Sequence, residues 1–330
     1  MFESIESQKC LSGGKNTIFA LSLSVPGSMQ SLKPIFKDTS IGFQLFLFVG
    51  LLVFGAIIGM LSGLVINKLI GNSPTSDLIS GSADMLSLQS ARILQLSTQI
   101  GLFLFPPFFL GYLVDAKPIA FLGFNKIKRP EIFLPAVLLM FVSLPLVHLL
   151  SDLNNLIQLP EWLSGMESWM QEKEKQAEEM TNMFLSVSNI SGLLLNLLMI
   201  AIVPALGEEL VFRSVVQPYL IRLMPNKHLA LLLTAIIFSF IHLQFYGFLP
   251  RLTLGLFLGY FYYWSGSIWV PVVMHFINNA AAVIAYYLHY NGFTDIPMDN
   301  LGTSSGIVYP VLSITAVITI LIYGGRISRA

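Results

Sequence analysis

The sequence predicts an all-α fold: a polytopic membrane bundle of about eight transmembrane helices, with N and C termini cytoplasmic. Three observations carry that prediction. Of 330 residues, 55% are hydrophobic and only 11% are charged, whereas a soluble domain carries about 25% charged residues. The mean hydropathy is +0.73. Apolar runs of about 17–25 residues, the length that crosses a bilayer as a helix, recur along the chain. They are continuous and Leu-rich, without the alternation that a transmembrane barrel needs.

In chain order, residues 1–41 are polar and read as an N-terminal tail, and 42–330 as a single membrane domain. Within the tail, "TIFALSLSV" is too short and too weakly apolar to be expected as a cleaved leader. Cys10 is the only cysteine, which excludes an intramolecular disulfide and a Cys-based zinc cage. The apolar runs fall near 43–66, 96–114, 132–150, 187–207, 229–246, 249–264, 268–289 and 307–324. Pro106–Pro107 should kink or break the second run, and the run at 249–264 is short. Most Lys and Arg residues, among them Lys126, Lys128, Arg129, Arg222, Lys227, Arg326 and Arg329, then fall on one side, which the positive-inside rule makes cytoplasmic. The loop around 151–186 is acidic. Met166, Trp169, Met170, Ala177, Met180 and Phe184 repeat there at helical spacing, predicting an amphipathic helix on the outer surface or leading into the next span. The net charge is zero and no basic block occurs, so nucleic acid is not an expected partner. The expected location is the cell membrane.

Ionisable residues at membrane depth are costly and mark function. Three stretches stand out. In "PALGEELVFR", Glu209 and Arg213 are four apart with the acid first, so they share a helix face and neutralise each other. Glu208 points about 100° away and has no local partner. In "FSFIHLQFYGF", His242 shares a face with Phe238. In "VPVVMHFINNAAAVIAYY", His275 and Asn279 project together, while Asn278 points elsewhere. The turn "LMPNKH", centred near Pro225, lies midway between Glu208 and His242, so an antiparallel hairpin brings both to one depth. This requires the Glu-bearing helix to continue past Gly207 to Arg222. His275 reaches a similar depth, about 5 Å off at 1.5 Å per residue. Pro204 cannot donate to the carbonyl of Ile200 and should loosen the helix beside Glu208.

Such a set suits hydrolysis of a peptide bond. Glu208 would be the general base on a water that His242 orients and polarises. His275 and Asn279 would donate hydrogen bonds to the tetrahedral oxyanion. Glu208, His242 and His275 also form a His₂Glu set, a combination that binds a divalent metal such as zinc, although no HExxH motif is present. The sequence leaves bare and metal-bound water as alternatives.

"EELVFR", "FSFIH" and "HFINN" resemble the three signature motifs EExxxR, FxxxH and HxxxN of the CPBP intramembrane proteases, which comprise the CAAX prenyl endopeptidases and the bacterial Abi proteins. The resemblance covers roughly 190–290, so the catalytic core is placed at about 187–290. It implies Glu208 as base with His242, and His275 and Asn279 as oxyanion hole. Glu209 and Arg213 would be supporting residues, and Phe238, the first residue of the second motif, a further one. Many members have Gly where this chain has Ser214. The implied substrate is a membrane-associated peptide or protein in the lipid bilayer. Two other readings stand beside it: an ion- or proton-coupled transporter, in which the buried charges form a relay, and a non-catalytic membrane immunity or scaffold protein.

Overall fold

A computed structural model describes residues 34–71, 88–157, 159–295 and 306–329. Most of the predicted tail, including "TIFALSLSV" and Cys10, lies outside the described residues. The described part of the tail packs onto the helices: Phe36 donates its backbone N–H to Leu113 O at 2.9 Å. Ser40 then caps the first helix through its side chain.

Every regular element among the described residues is helical. In order they are α1 (Ile41–Ile70), α2 (Leu88–Val114), the short α3 (Pro118–Phe121), α4 (Pro130–Val142) and α5 (Leu144–Asn155). They continue with α6 (Ser164–Leu185), α7 (Ile190–Leu223), α8 (Lys227–Phe240), α9 (Phe248–Ser265), α10 (Trp269–Tyr290) and α11 (Val308–Arg329).

Helices occupy all eight places where the sequence predicts spans, and among the described residues they differ in length and apolarity. Five helices, α1, α2, α7, α10 and α11, are long and apolar enough to cross a membrane. A sixth crossing results if α4 and α5, bent by 47° at their junction, act as one span. α8 is apolar but has only 14 residues. α9 carries Arg251 and a Tyr- and Trp-rich end, which lower its apolarity. Pro106 and Pro107 do not break α2. The helix widens into a π-turn over Ile100–Leu104 just before them and runs on to Val114. The extra residue of a π-turn accommodates the amide donors that the prolines lack.

Between helices in lipid, close packing replaces the hydrophobic effect as the main attraction. α1 shows how. Its buried face is Gln44, Phe48, Leu51, Gly55, Gly59, Gly63 and Asn67, a stripe at helical spacing. A Cβ on Gly55 or on Gly101 of α2 would collide with the backbone of the other helix. Asn67 closes the end of the seam by donating to Ser90 O at 3.2 Å. Gly101→Leu should therefore force α1 and α2 apart at a cost of about 1–3 kcal/mol. The check is a lower thermal unfolding midpoint in detergent.

α7 lies at the centre. Asn189 caps its start by accepting from Gly192 N at 2.7 Å. Asn226 caps α8 in the same way after the turn at Pro225. On one side, Val211, Phe212, Val215 and Tyr219 of α7 pack with α1, α2 and Phe238 of α8. α4, α9, α10 and α11 form a second core around Leu139, Phe261 and Met274. Arg213 and Gln217 of α7 reach across to Gly255 O and Gly259 O of α9, each at 3.0 Å, where the absence of side chains opens the two carbonyls.

The acidic loop helix α6 is amphipathic, as its spacing predicts. Phe184, with Met180 and Met183, packs on Ala91 and Met199, while Met166 stays exposed. Trp169 packs its ring against Phe245 at 5.6 Å.

Candidate active site

Glu208 and Glu209 close a short α-helical stretch, Val203–Glu209, set between two π-helical stretches of α7, Leu197–Ile202 and Leu210–Val216. Both glutamates are buried, Glu209 completely. The expected pair forms: Arg213 Nε lies 3.0 Å from Glu209 Oε2, with both side chains at 0% exposure. The guanidinium also sits over the Phe238 ring, 4.8 Å from its centre. Desolvation makes such a pair strongly interdependent, because removing one partner strands the other charge.

His275 brings a contact that the sequence does not reveal. Its Nδ1 is 2.9 Å from Glu209 Oε1, and its Nε2 is 3.9 Å from Glu208 Oε2. One imidazole thus spans two adjacent carboxylates that leave the helix about 100° apart. An ionised carboxylate only accepts, so Nδ1 carries the proton shared with Glu209 and Nε2 faces Glu208. Arg213, Glu209 and His275 form a continuous buried chain that ends at Glu208.

His242 lies beyond the end of α8, in the turn after Phe240, rather than within a helix reaching 246 as the apolar run suggests. Its ring folds back on Phe238: Nδ1 donates to Phe238 O at 2.7 Å, and the rings are 5.1 Å apart. That leaves Nε2 as the acceptor, 3.8 Å from Glu208 Oε2. Phe238 also stands edge-on to His275 at 6.0 Å, so it walls the site between the two histidines. Glu208 Oε2 is buried and has no hydrogen-bond partner in the protein.

Asn279 donates its side-chain N–H to Ile200 O at 3.1 Å. This is the carbonyl to which Pro204 cannot donate, so the proline's missing N–H is replaced from the neighbouring helix. The amide retains a second N–H. Asn278 is not turned wholly away, because it donates to Asn279 Oδ1 at 3.1 Å. Ser214 is buried and donates to Leu122 O at 2.6 Å, so its hydroxyl is satisfied by the chain after α3.

The turn that holds His242 is strained and clamped. Leu243 has φ 53°, the only positive φ outside glycine among the described residues, a conformation costing roughly 1–2 kcal/mol. Arg251 of α9 donates to Gln244 Oε1 at 2.9 Å and to Gln244 O. Asn154 of α5 donates to Phe245 O at 2.8 Å and accepts from Leu249 N at 2.9 Å. Arg251 is also within electrostatic reach of Glu208 and of Glu174 on α6. No spacing or motif in the sequence marks Arg251, Gln244 or Asn154 as part of this turn. The one signal was a lone arginine inside the apolar run at 249–264. Under the peptide hydrolysis that the sequence predicts, Arg251→Met is expected to free the turn and lower kcat by roughly 10²-fold, the scale of an ångström-level misplacement. Cleavage at saturating substrate checks it, and Arg251→Lys should recover part of the loss.

As a metal site, the donors are chemically apt but too far apart. Two ligands of one tetrahedral zinc, with bonds of about 2.0–2.1 Å, stand roughly 3.3 Å apart, against 3.8 and 3.9 Å here. Among the described residues, no three His, Cys, Asp or Glu side chains are grouped closely enough to hold a metal ion.

The fold and the site together define a multi-pass membrane protein with a buried carboxylate–histidine centre. Residues 190–281 match the family described as Rce1-like, the type II CAAX prenyl endopeptidases. That segment supplies Glu208, Glu209, Arg213, Phe238, His242, His275 and Asn279, so the region that builds the site is Rce1-like, consistent with the CPBP and CAAX protease family to which the three motifs point. No curated protein and no solved structure matches the chain.

Proposed function

We propose that the protein is an intramembrane endopeptidase that hydrolyses a peptide bond of a membrane-associated peptide or protein with a water activated by Glu208 and His242. The observation that carries this reading is the carboxylate of Glu208. It is buried, has no protein hydrogen bond at Oε2, and faces the Nε2 atoms of two histidines at 3.8 and 3.9 Å. Two groups bonded to one water at about 2.8–2.9 Å each can stand that far apart.

The roles follow from which atoms can donate. A water between Glu208 Oε2 and His242 Nε2 gives one hydrogen to each, because both are acceptors, and its lone pair is then aimed at the scissile carbonyl. Glu208 takes the proton as the C–O bond forms and returns it to the departing amine as the C–N bond breaks. The oxyanion meets the second N–H of Asn279. An Nε2–H from His275 requires the doubly protonated ring, since Nδ1–H is committed to Glu209. In that form Arg213 and His275 balance Glu208 and Glu209 within the buried set.

The test is cleavage in proteoliposomes by correctly inserted protein. His242→Ala should lose about 10²- to 10⁴-fold in kcat, and chelation with zinc-free buffer should leave the wild-type rate unchanged. Parental rates in the variant would sink the proposal. Loss on chelation with recovery on added zinc would transfer the water to a metal held by Glu208, His242 and His275.

A further inference from the structure

We propose that the cavity between the Lys126–Arg129 segment, the Ser265–Gly266 turn and the end of α11 is a binding site for the phosphate headgroup of an anionic phospholipid. The cavity measures about 760 Å³ and is lined by Lys126, Lys128 and Arg129 together with Tyr263, Trp264 and Ser328. Among the described residues, no acidic side chain lines it. Among the described residues, none of the three cations has an acidic partner. Arg129 gives one N–H to Ile327 O, which holds the guanidinium at the cavity, and among the described residues its other donors have no hydrogen-bond partner. Lys227 adds a fourth cation at the margin, 2.8 Å from Tyr263 Oη, where the phenol accepts and keeps its own O–H to donate.

Three segments distant in sequence build this site. Asn125 donates to Gly266 O at 3.2 Å, and Ser267 Oγ to Asn125 O at 2.8 Å, which ties the basic segment to the α9–α10 turn. Gly266 makes that turn at φ 62°, a left-handed conformation suited to glycine. The Trp264 ring covers Gly324 and Gly325 of α11.

Its place in the bundle selects a lipid over a free anion. The cavity lies at the ends of α9 and α11 and is lined by Tyr263 and Trp264, residue types enriched where a membrane meets water. Its wall includes the buried Ile132 and the half-buried Ile327, and the same two helices carry exposed apolar side chains, Leu134 on α4 and Ile322 and Tyr323 on α11. A headgroup in the cavity would therefore lead its acyl chains onto surface that already faces the bilayer. Basic pockets between helices are an established way to hold acidic headgroups.

The experiment is native mass spectrometry of the full chain, extracted from nanodiscs containing equal amounts of phosphatidylglycerol and phosphatidylcholine. Phosphatidylglycerol should be retained preferentially. Each lysine removed should cost roughly fivefold in retention, so Lys126→Gln with Lys128→Gln should lose roughly 25-fold. Both lysines are exposed, and Lys128→Gln alone keeps the measurement available should the double variant insert poorly. Inorganic phosphate added in excess should not displace the lipid. Equal retention of the two lipids, an unchanged variant, or displacement by inorganic phosphate would each overturn the proposal.

Discussion

Glu208→Gln is expected to lower kcat/KM for peptide cleavage by about 10²- to 10⁴-fold while leaving the protein folded. The amide has the shape of the carboxylate but cannot take a proton from water. Stability should hold because Glu208 Oε2 makes no protein hydrogen bond that the exchange would break. It should even rise slightly, since a buried charge with no protein hydrogen bond at Oε2 is removed. Cleavage rates and unfolding midpoints measured on the same preparation separate the two effects. A variant within about tenfold of the parental rate would remove Glu208 from the chemistry. It would also restore the reading of the chain as a scaffold.

Arg213→Met is expected to have the largest effect on stability. The guanidinium and Glu209 are both fully buried, 3.0 Å apart, and stranding one of two such charges costs about 3–5 kcal/mol. Glu209→Leu alone should be comparably harmful, because it strands Arg213. Combining Glu209→Leu with Arg213→Met removes both charges and should recover most of the lost stability. Activity should not return with it. His275 Nδ1 would have lost its acceptor, and with it the ring orientation that turns Nε2 towards Glu208. A double variant that is stable yet inactive would assign the pair to positioning His275. One that is stable and active would confine it to packing.

Much of this site was legible because charge is conspicuous in an apolar chain. The i, i+4 spacing foretold the Glu209–Arg213 pair, and the turn at Pro225 foretold that Glu208 and His242 meet. Those inferences concern position along a helix, which residue counting measures well. Lateral contacts were not legible. That His275 bridges both glutamates depends on where α10 lies beside α7, and in lipid that is decided by shape rather than by hydropathy. The glycine seam of α1 and α2 and the bond from Asn279 to Ile200 escaped for the same reason. The helix end before His242 went astray because apolar side chains continue where the backbone turns. The run through Phe245 reads as helix, yet Leu243 takes a left-handed conformation there.

The wide turns of α7 have a consequence for how the molecule could change. A regular helix that gains or loses one residue swings everything beyond it by about 100°, but a π-turn stores the extra residue as a local loosening. Stretches of this kind stand on both sides of Val203–Glu209. The segment that carries Glu208 and Glu209 is thus set between two places where the helix is locally widened.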